Sequence, residues 1–307
     1  MEFDYYSRVT SDMLVKVGVP ATAGLSATEG NVGEVRNRGI DMTLVWKETY
    51  DDLWFNITMT GTTVKNEVLD LGTEDQLIGG WKQVTRTRVG EPIGYFYGYK
   101  ADGIFQNQAE INAHATQANV VPGDLRFVDV DGNGVIDSND RTKIGETIPS
   151  FMAGLNMQFG YKGFELGIDM YGSFGSDIFN AKSLESYSSE DNFTKEYLDR
   201  WTGEGTSNTQ PRITFGGQNK EISSHWIEDG SFWKIQNVKL AYNLPQNILE
   251  KLNLKQAKVY VSGNNLFYFS DYNGPSPEIG GSSLAAGIDR KVYPMVRVFK
   301  AGLSLTF

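Results

Sequence analysis

One short stretch of the chain is dominated by oxygen donors. From Asp129 to Asp140 it runs Asp-Val-Asp-Gly-Asn-Gly-Val-Ile-Asp-Ser-Asn-Asp. That spacing matches a twelve-residue loop for a hard cation that takes six to eight oxygen ligands. Asp129, Asp131 and Asn133 would offer side-chain oxygens, Val135 its backbone carbonyl, and Asp137 a contact made directly or through water. Gly134 occupies the sixth place, where such a loop must turn sharply. Asp140 occupies the twelfth place, where a longer bidentate Glu is usual. The shorter arm implies one-sided binding or a tighter loop. Ca2+ is therefore the expected cofactor, held by a loop without the flanking helix pair of a sensor. The alternative is a metal-free network of Asp, Asn and Gly turns. In either case the segment would order a long loop.

Other chemistry has little to work with. The chain contains no Cys, which excludes disulfides and thiolate sites. Its two His residues, His114 and His225, are far apart and lack ligand spacing, so both read as loop residues. There is no phosphate-binding Gly-Lys-Ser/Thr loop, no Gly-x-Ser-x-Gly elbow and no zinc-protease pair. Catalysis is not expected. A formal charge of −10 argues against nucleic acid as a partner.

The elements that would carry such loops are strands. From Phe151 the apolar residues fall at every second position: Phe151, Ala153, Leu155, Met157, Phe159 and Tyr161. Phe164, Leu166, Ile168 and Met170 repeat the pattern after a Lys162-Gly163 break, which predicts a hairpin with a two-residue turn. Ile40 to Trp46, Leu53 to Met59 and Phe299 to Phe307 alternate likewise. The intervening residues are polar or Gly, and the apolar sets carry no charge. Such two-faced runs suit strands with lipid on one side and a hydrated lumen on the other. Eight spanning strands are expected, near residues 2–16, 35–47, 53–68, 150–161, 163–173, 231–242, 257–268 and 294–307. Long connections (17–38, 69–149, 174–230, 269–293) alternate with short ones (48–52, 162–163, 243–256). The long ones are assigned to the outside and the short ones to the periplasm. Helices are expected over Glu190–Trp201 and Pro245–Leu252. No apolar run approaches the ~20 residues of a membrane-spanning helix. The start, Met1-Glu2-Phe3-Asp4, has no signal-peptide character.

Several blocks of the sequence resemble the SusC/RagA family of TonB-dependent outer-membrane transporters. Asp229-Gly230-Ser-Phe232, followed by Asn237, Leu240, Tyr242 and Pro245, is similar to one family block. Gly263-Asn-Asn265-Leu266-Phe267 is similar to another, and Pro277-Glu278, Gly287-Ile-Asp289 and Tyr293-Pro294 to its ending. Upstream, Asn37-Arg-Gly39-Ile-Asp41, Gly94 to Gly98 and Pro122-Gly-Asp124 also fit. Ser276 departs from the family, which usually has Asp before Pro-Glu. The resemblance implies that residues 1–307 are the C-terminal part of a 22-stranded antiparallel transmembrane β-barrel, with the plug domain and signal peptide absent. It also implies a place in the outer membrane of a Gram-negative bacterium and TonB-dependent import of glycans or peptides. The partners would be a SusD-like surface lipoprotein, TonB through the missing N-terminal region, and outer-membrane lipid. Phe307, the aromatic end of an alternating strand, would be the outer-membrane insertion signal. A competing expectation is a secreted, calcium-dependent binding module with a closed soluble β fold. It would bury the apolar faces between two packed sheets.

Overall fold

The computed structural model describes residues 1–17, 28–187 and 195–307. Eight long strands form one antiparallel sheet: β1 (Glu2–Val17), β2 (Thr28–Tyr50), β3 (Leu53–Thr63), β4 (Phe151–Tyr161), β5 (Phe164–Phe174), β6 (Phe232–Asn243), β7 (Gln256–Phe269) and β8 (Val298–Thr306). Their order across the sheet is their order in the chain. Among the described residues, the outer edges of β1 and β8 pair with no further strand.

Local chemistry sets the register. Tyr161 pairs with Phe164 across Lys162 and Gly163, whose φ values of 46° and 86° are both left-handed. A two-residue turn with that geometry matches the natural strand twist, and Gly meets it without a Cβ clash. The β2–β3 turn is equally short: Tyr50 pairs with Leu53, with Asp51 at φ 49°.

Three strands differ from expectation, the last of them beginning at Val298 and not at 294. The third strand, expected over 53–68, stops at Thr63, where β4 offers its last partner, Phe151. The chain then resumes as Lys65–Leu71 and follows β2 alone, with Lys65 opposite Arg38 and Val68 opposite Val35. β2 is longer than expected because its ladder with β1 continues out to Val17 and Thr28. The helix expected over 190–201 is a 3-10 turn at Lys195–Asp199, and 188–194 lie outside the described residues. Near Pro245 a helix does form, at Gln246–Leu252, with Pro245 as its N-terminal flank and Asn253 left-handed at its end. Two short helices carried no apolar periodicity to reveal them. Gln108–Ala113 starts where Asn107 accepts from the Glu110 N–H, and Ala181–Ser186 where Asn180 accepts from the Ser183 N–H.

The register puts every apolar run on one face. Cross-strand rows such as Trp46–Ile57–Met157–Ile168–Val238 lie on that face, while Thr58–Asn156–Asp169–Asn237–Asn264 lie on the other. No second sheet covers the apolar face among the described residues. Phe299, Leu303, Val261 and Trp46 remain more than half exposed. The sandwich expectation therefore does not hold. Aromatic rows border the band. Phe151, Phe174, Trp233 and Phe269 lie at the long-loop end, with Phe151–Phe174 centroids 5.9 Å apart and Phe174–Trp233 5.6 Å apart. Tyr50, Tyr161, Phe164 and Tyr242 lie at the short-turn end. From Phe151 to Tyr161, at about 3.3 Å per residue and a tilt of about 40°, the band spans roughly 25 Å, the height of an outer-membrane hydrocarbon belt.

The buried core lies above the sheet, in the connections at residues 64–150, 175–231 and 270–297. Val84 and Phe96 from the first pack with Phe179, Leu184, Tyr187, Tyr197 and Trp226 from the second, and Ile288 from the third joins them. Tyr99, Ile104, Leu125 and Phe127 form a second cluster. Among the described residues no helix is long and apolar enough to cross a membrane.

Candidate functional site: a polar sheet face beneath a packed loop layer

The non-apolar face of the sheet carries its charge. Asp169 on β5 accepts from Asn156 Nδ2 on β4 and, at 3.1 Å, from Asn237 Nδ2 on β6. Glu165 accepts from Lys258 Nζ and from Asn243 Nδ2, both at 2.7 Å. Asn156, Glu165, Asp169 and Asn237, with Gln158, Trp54 and Lys239, line a recess of about 260 Å³. Strand alternation aims them: Glu165, Gly167, Asp169 and Tyr171 must share a face if Phe164, Leu166, Ile168 and Met170 share the other. A charged pair is tolerable here because water reaches it; on the apolar face the same groups would meet hydrocarbon. These inward residues were not singled out from the sequence. Their signal was present as the polar phase of each alternating run.

Polar clamps tie the loop layer together. Asp124, buried, receives Arg212 through two bonds (2.7 and 3.2 Å) and Asn219 Nδ2 at 3.0 Å. Asn219 Oδ1 in turn accepts from the Leu125 N–H. Asp289, fully buried, accepts from the Tyr272 hydroxyl and the Val292 N–H, while its own N–H donates to the Phe179 carbonyl at 3.0 Å. Burial beside that carboxylate pushes the Tyr272 phenol far above its ordinary range. At the top of β6, buried Lys234 pairs with Glu278 at 2.7 Å, and Tyr268 donates to the same carboxylate. Gly39 marks a close approach: a Cβ there would meet the Thr63 carbonyl oxygen at 1.8 Å.

The Asp129–Asp140 loop is built as an oxygen cage. Asp129 accepts from the Gly132 and Gly134 N–H groups, both at 2.8 Å, and the Gly134 bond leads in holding its pKa below the usual carboxylate range. Asn133 Oδ1 accepts from the Val135 N–H, and Gly134 has φ 83°. Asp140 is fully buried and accepts from the Val130 and Asp137 N–H groups at 2.7 and 2.8 Å. One carboxylate oxygen each from Asp129, Asp131 and Asp140 fall within 4.8 Å of one another. A 3-10 turn at Ser138–Asp140 includes the buried Asp140. Asp137 caps that turn through the Asn139 N–H and is not in the three-carboxylate group. No described Lys or Arg forms an ion pair with Asp129, Asp131 or Asp140. This all-oxygen donor set fits a hard divalent cation.

The two His residues do not meet. His114 lies edge-on to Phe105. His225 lies edge-on to Trp226, with centroids 4.5 Å apart, and desolvation pushes its pKa down to about 4.

An open antiparallel sheet with an apolar belt, a charged inner face and clamped loops at one end is also found in known proteins. No family model matches the chain. Over its whole length it is 33% identical to TonB-dependent receptor P3 of Formosa agariphila, covering 32% of that protein. It is 31% identical to receptor P26 of the same organism, again covering 32%. The chain is similar over its whole length to TonB-dependent receptors. It spans about a third of the length of the curated relatives it matches. SusC of Bacteroides thetaiotaomicron is 27% identical over 99% of the chain and 30% of its own length. Among solved structures, the RagAB peptide transporter covers 99% of the chain at a TM-score of 0.81 and 23% identity, which establishes the fold. That match extends over 33% of the RagAB chain.

Within this receptor fold the recognised blocks act as fasteners. Asn37 Oδ1 accepts from Asn66 Nδ2, joining β2 to Lys65–Leu71. Asp124, Glu278 and Asp289 are the acceptors of the loop clamps described above. Ser276, the departure from the family block, is buried, and its Oγ accepts from the Glu278 N–H at 3.2 Å. The smaller side chain therefore still orders the turn before Glu278.

Proposed function

We propose that this chain is part of the barrel wall of an outer-membrane, TonB-dependent importer of the SusC type, and that its role is passage rather than catalysis. One observation carries this reading: a roughly 25 Å apolar belt between two aromatic rows, on the face opposite a charged, water-accessible one. The lumen face, with Glu165, Asp169 and Lys258, would line the route of the substrate. The loop layer would meet the substrate and a SusD-like lipoprotein outside the cell. Energy would come from TonB through a part of the complete receptor that lies outside this chain. Oligosaccharides and peptides are the candidate cargoes; the similarity to the RagAB peptide transporter supports the second of them. Deleting the complete receptor gene and measuring growth separately on oligosaccharide and on peptide should abolish one and spare the other. Normal growth and uptake on both would sink the importer reading.

Two further roles belong to this proposal. Phe307 ends β8's apolar register, and an aromatic end on a still-unpaired strand edge suits recognition during membrane insertion. Phe307→Ser should lower outer-membrane abundance. The Asp129–Asp140 loop would hold Ca2+ through Asp129, Asp131 and Asp140, with Asn133, Val135 and Asp137 completing the shell, and the ion would order the outer loop. Calcium should protect residues 124–145 from proteolysis, and Asp131→Ala should remove the protection. Equal cleavage with and without millimolar calcium would leave a metal-free turn network.

A further inference from the structure

A groove of about 610 Å³ opens where the sheet divides above Thr63. The division follows from pairing. Val64 N–H still donates to the Ser150 carbonyl at 2.9 Å, but Lys65–Leu71 then stays with β2 while the chain before β4 turns aside. One wall of the groove is the β2 ribbon. On the other, Lys143 sits between Glu91 (3.0 Å) and Glu146 (2.7 Å).

The ribbon wall carries an unusual charge pattern. Arg36 lies opposite Glu67 and is paired with it at 2.7 Å, whereas Arg38 lies directly opposite Lys65. Like charges facing each other across a ladder destabilise it. Among the described residues neither Arg38 nor Lys65 has an ion-pair partner, and the nearby Glu67 carboxylate is bonded to Arg36. Glu67 attracts both cations from nearby, but a facing cation pair with no bonded carboxylate of its own is the less expected in a chain of net charge −10. By strand alternation Arg38 and Lys65 share the outward, apolar face of Ile40 and Met42. They stand just beyond the band, level with the start of β4 at the outer aromatic row. On β2 and β3 the charged outward residues lie only beyond the apolar runs: Glu48 at the short-turn end and this cluster at the long-loop end.

We infer that this groove binds the phosphorylated sugar headgroup of an outer-leaflet glycolipid. The inference rests on the membrane-barrel reading above. The Arg38 guanidinium can grip phosphate with two parallel bonds while Lys65 adds a point charge. Glu91 and Glu146 face the same space with carboxylate oxygens that can accept from sugar hydroxyls. A bound phosphate would also relieve the Arg38–Lys65 repulsion.

The test places the complete receptor in phosphatidylcholine nanodiscs with or without bis-phosphorylated lipid A and counts retained lipid by native mass spectrometry. Wild type is expected to retain lipid A. At about a fivefold loss per cation, Arg38→Gln/Lys65→Gln should bind it roughly 30-fold more weakly. Lys65→Gln alone, an exposed change with little bearing on folding, should lose about fivefold. Arg8→Gln/Lys300→Gln, which removes two cations from the opposite face, should bind as wild type does. Equal retention by the Arg38/Lys65 variant, or equal binding of dephosphorylated lipid A, would overturn the assignment. Complete displacement by millimolar inorganic phosphate would make the groove a free-anion site and also overturn it. A wild-type receptor that never enters the nanodisc would instead overturn the barrel reading, and the groove with it.

Discussion

In β4, Phe151, Leu155 and Phe159 turn toward the surroundings, whereas a short way along the chain Phe96, Phe179 and Leu184 are wholly buried. The sheet and the loop layer use similar side chains under opposite rules. The sheet keeps its apolar face outward because its solvent there is hydrocarbon, and its backbone groups are satisfied by neighbouring strands. The loops project into water and must build an ordinary core, sealed by buried clamps such as Asp124–Arg212 and Asp289–Tyr272. On the proposed barrel reading, sheet order would depend on the membrane, whereas loop order depends on packing.

The sharpest way to break this comparison is to cut the loop core. Phe179→Ala, at a fully buried position between Phe96 and Trp81, should cost the loop layer about 3–5 kcal/mol. Hydrogen exchange should speed in residues 81–99 and 177–187 and stay slow in β4 and β5. Uniform loosening of the sheet would show that the two regions fold as one unit. A somewhat smaller effect separates the two faces of β7. Val261→Arg should destabilise the membrane-inserted receptor by about 2–4 kcal/mol, and its neighbour Ser262→Arg by less than about 1 kcal/mol, in urea titrations from vesicles. Equal costs would mean that the outward face does not meet lipid.

A further effect is pH-dependent and confined to the loops. His225 has its pKa depressed to about 4 by burial, below an unfolded value near 6.5. The unfolded form thus binds the proton more readily, so its share of loop stability is complete above about pH 6.5 and declines as pH falls toward about 4. Protection of the Ser224–Trp226 turn should drop across that window while β6 holds steady, and His225→Asn should flatten the profile. Loss of protection on raising the pH instead would reverse the assigned sign.

How much could be read from the sequence differs between the same two regions. Alternation located five of the eight strands directly, because a strand with unlike faces must repeat every two residues; the strands near 2–16, 231–242 and 257–268 were placed with them as spanning segments between the short and long connections. The Lys162-Gly163 turn was legible for the same reason: a two-residue loop needs left-handed φ values. The oxygen spacing of Asp129 to Asp140 was readable in one dimension, because its oxygen donors all lie within twelve consecutive residues. The break at Val64 was not, since it depends on where β4 stops offering partners. Nor could the sequence indicate that Asp124 meets Arg212, or that Thr85 Oγ1 bonds the Leu284 carbonyl at 2.6 Å, because those residues lie 88 and 199 positions apart. Periodic, local constraints thus determined the belt, the turns and the acidic loop. Tertiary structure alone decided the loop core, the inward charge network and the Arg38–Lys65 juxtaposition, because each arises from contacts between segments whose separation along the chain carries no period.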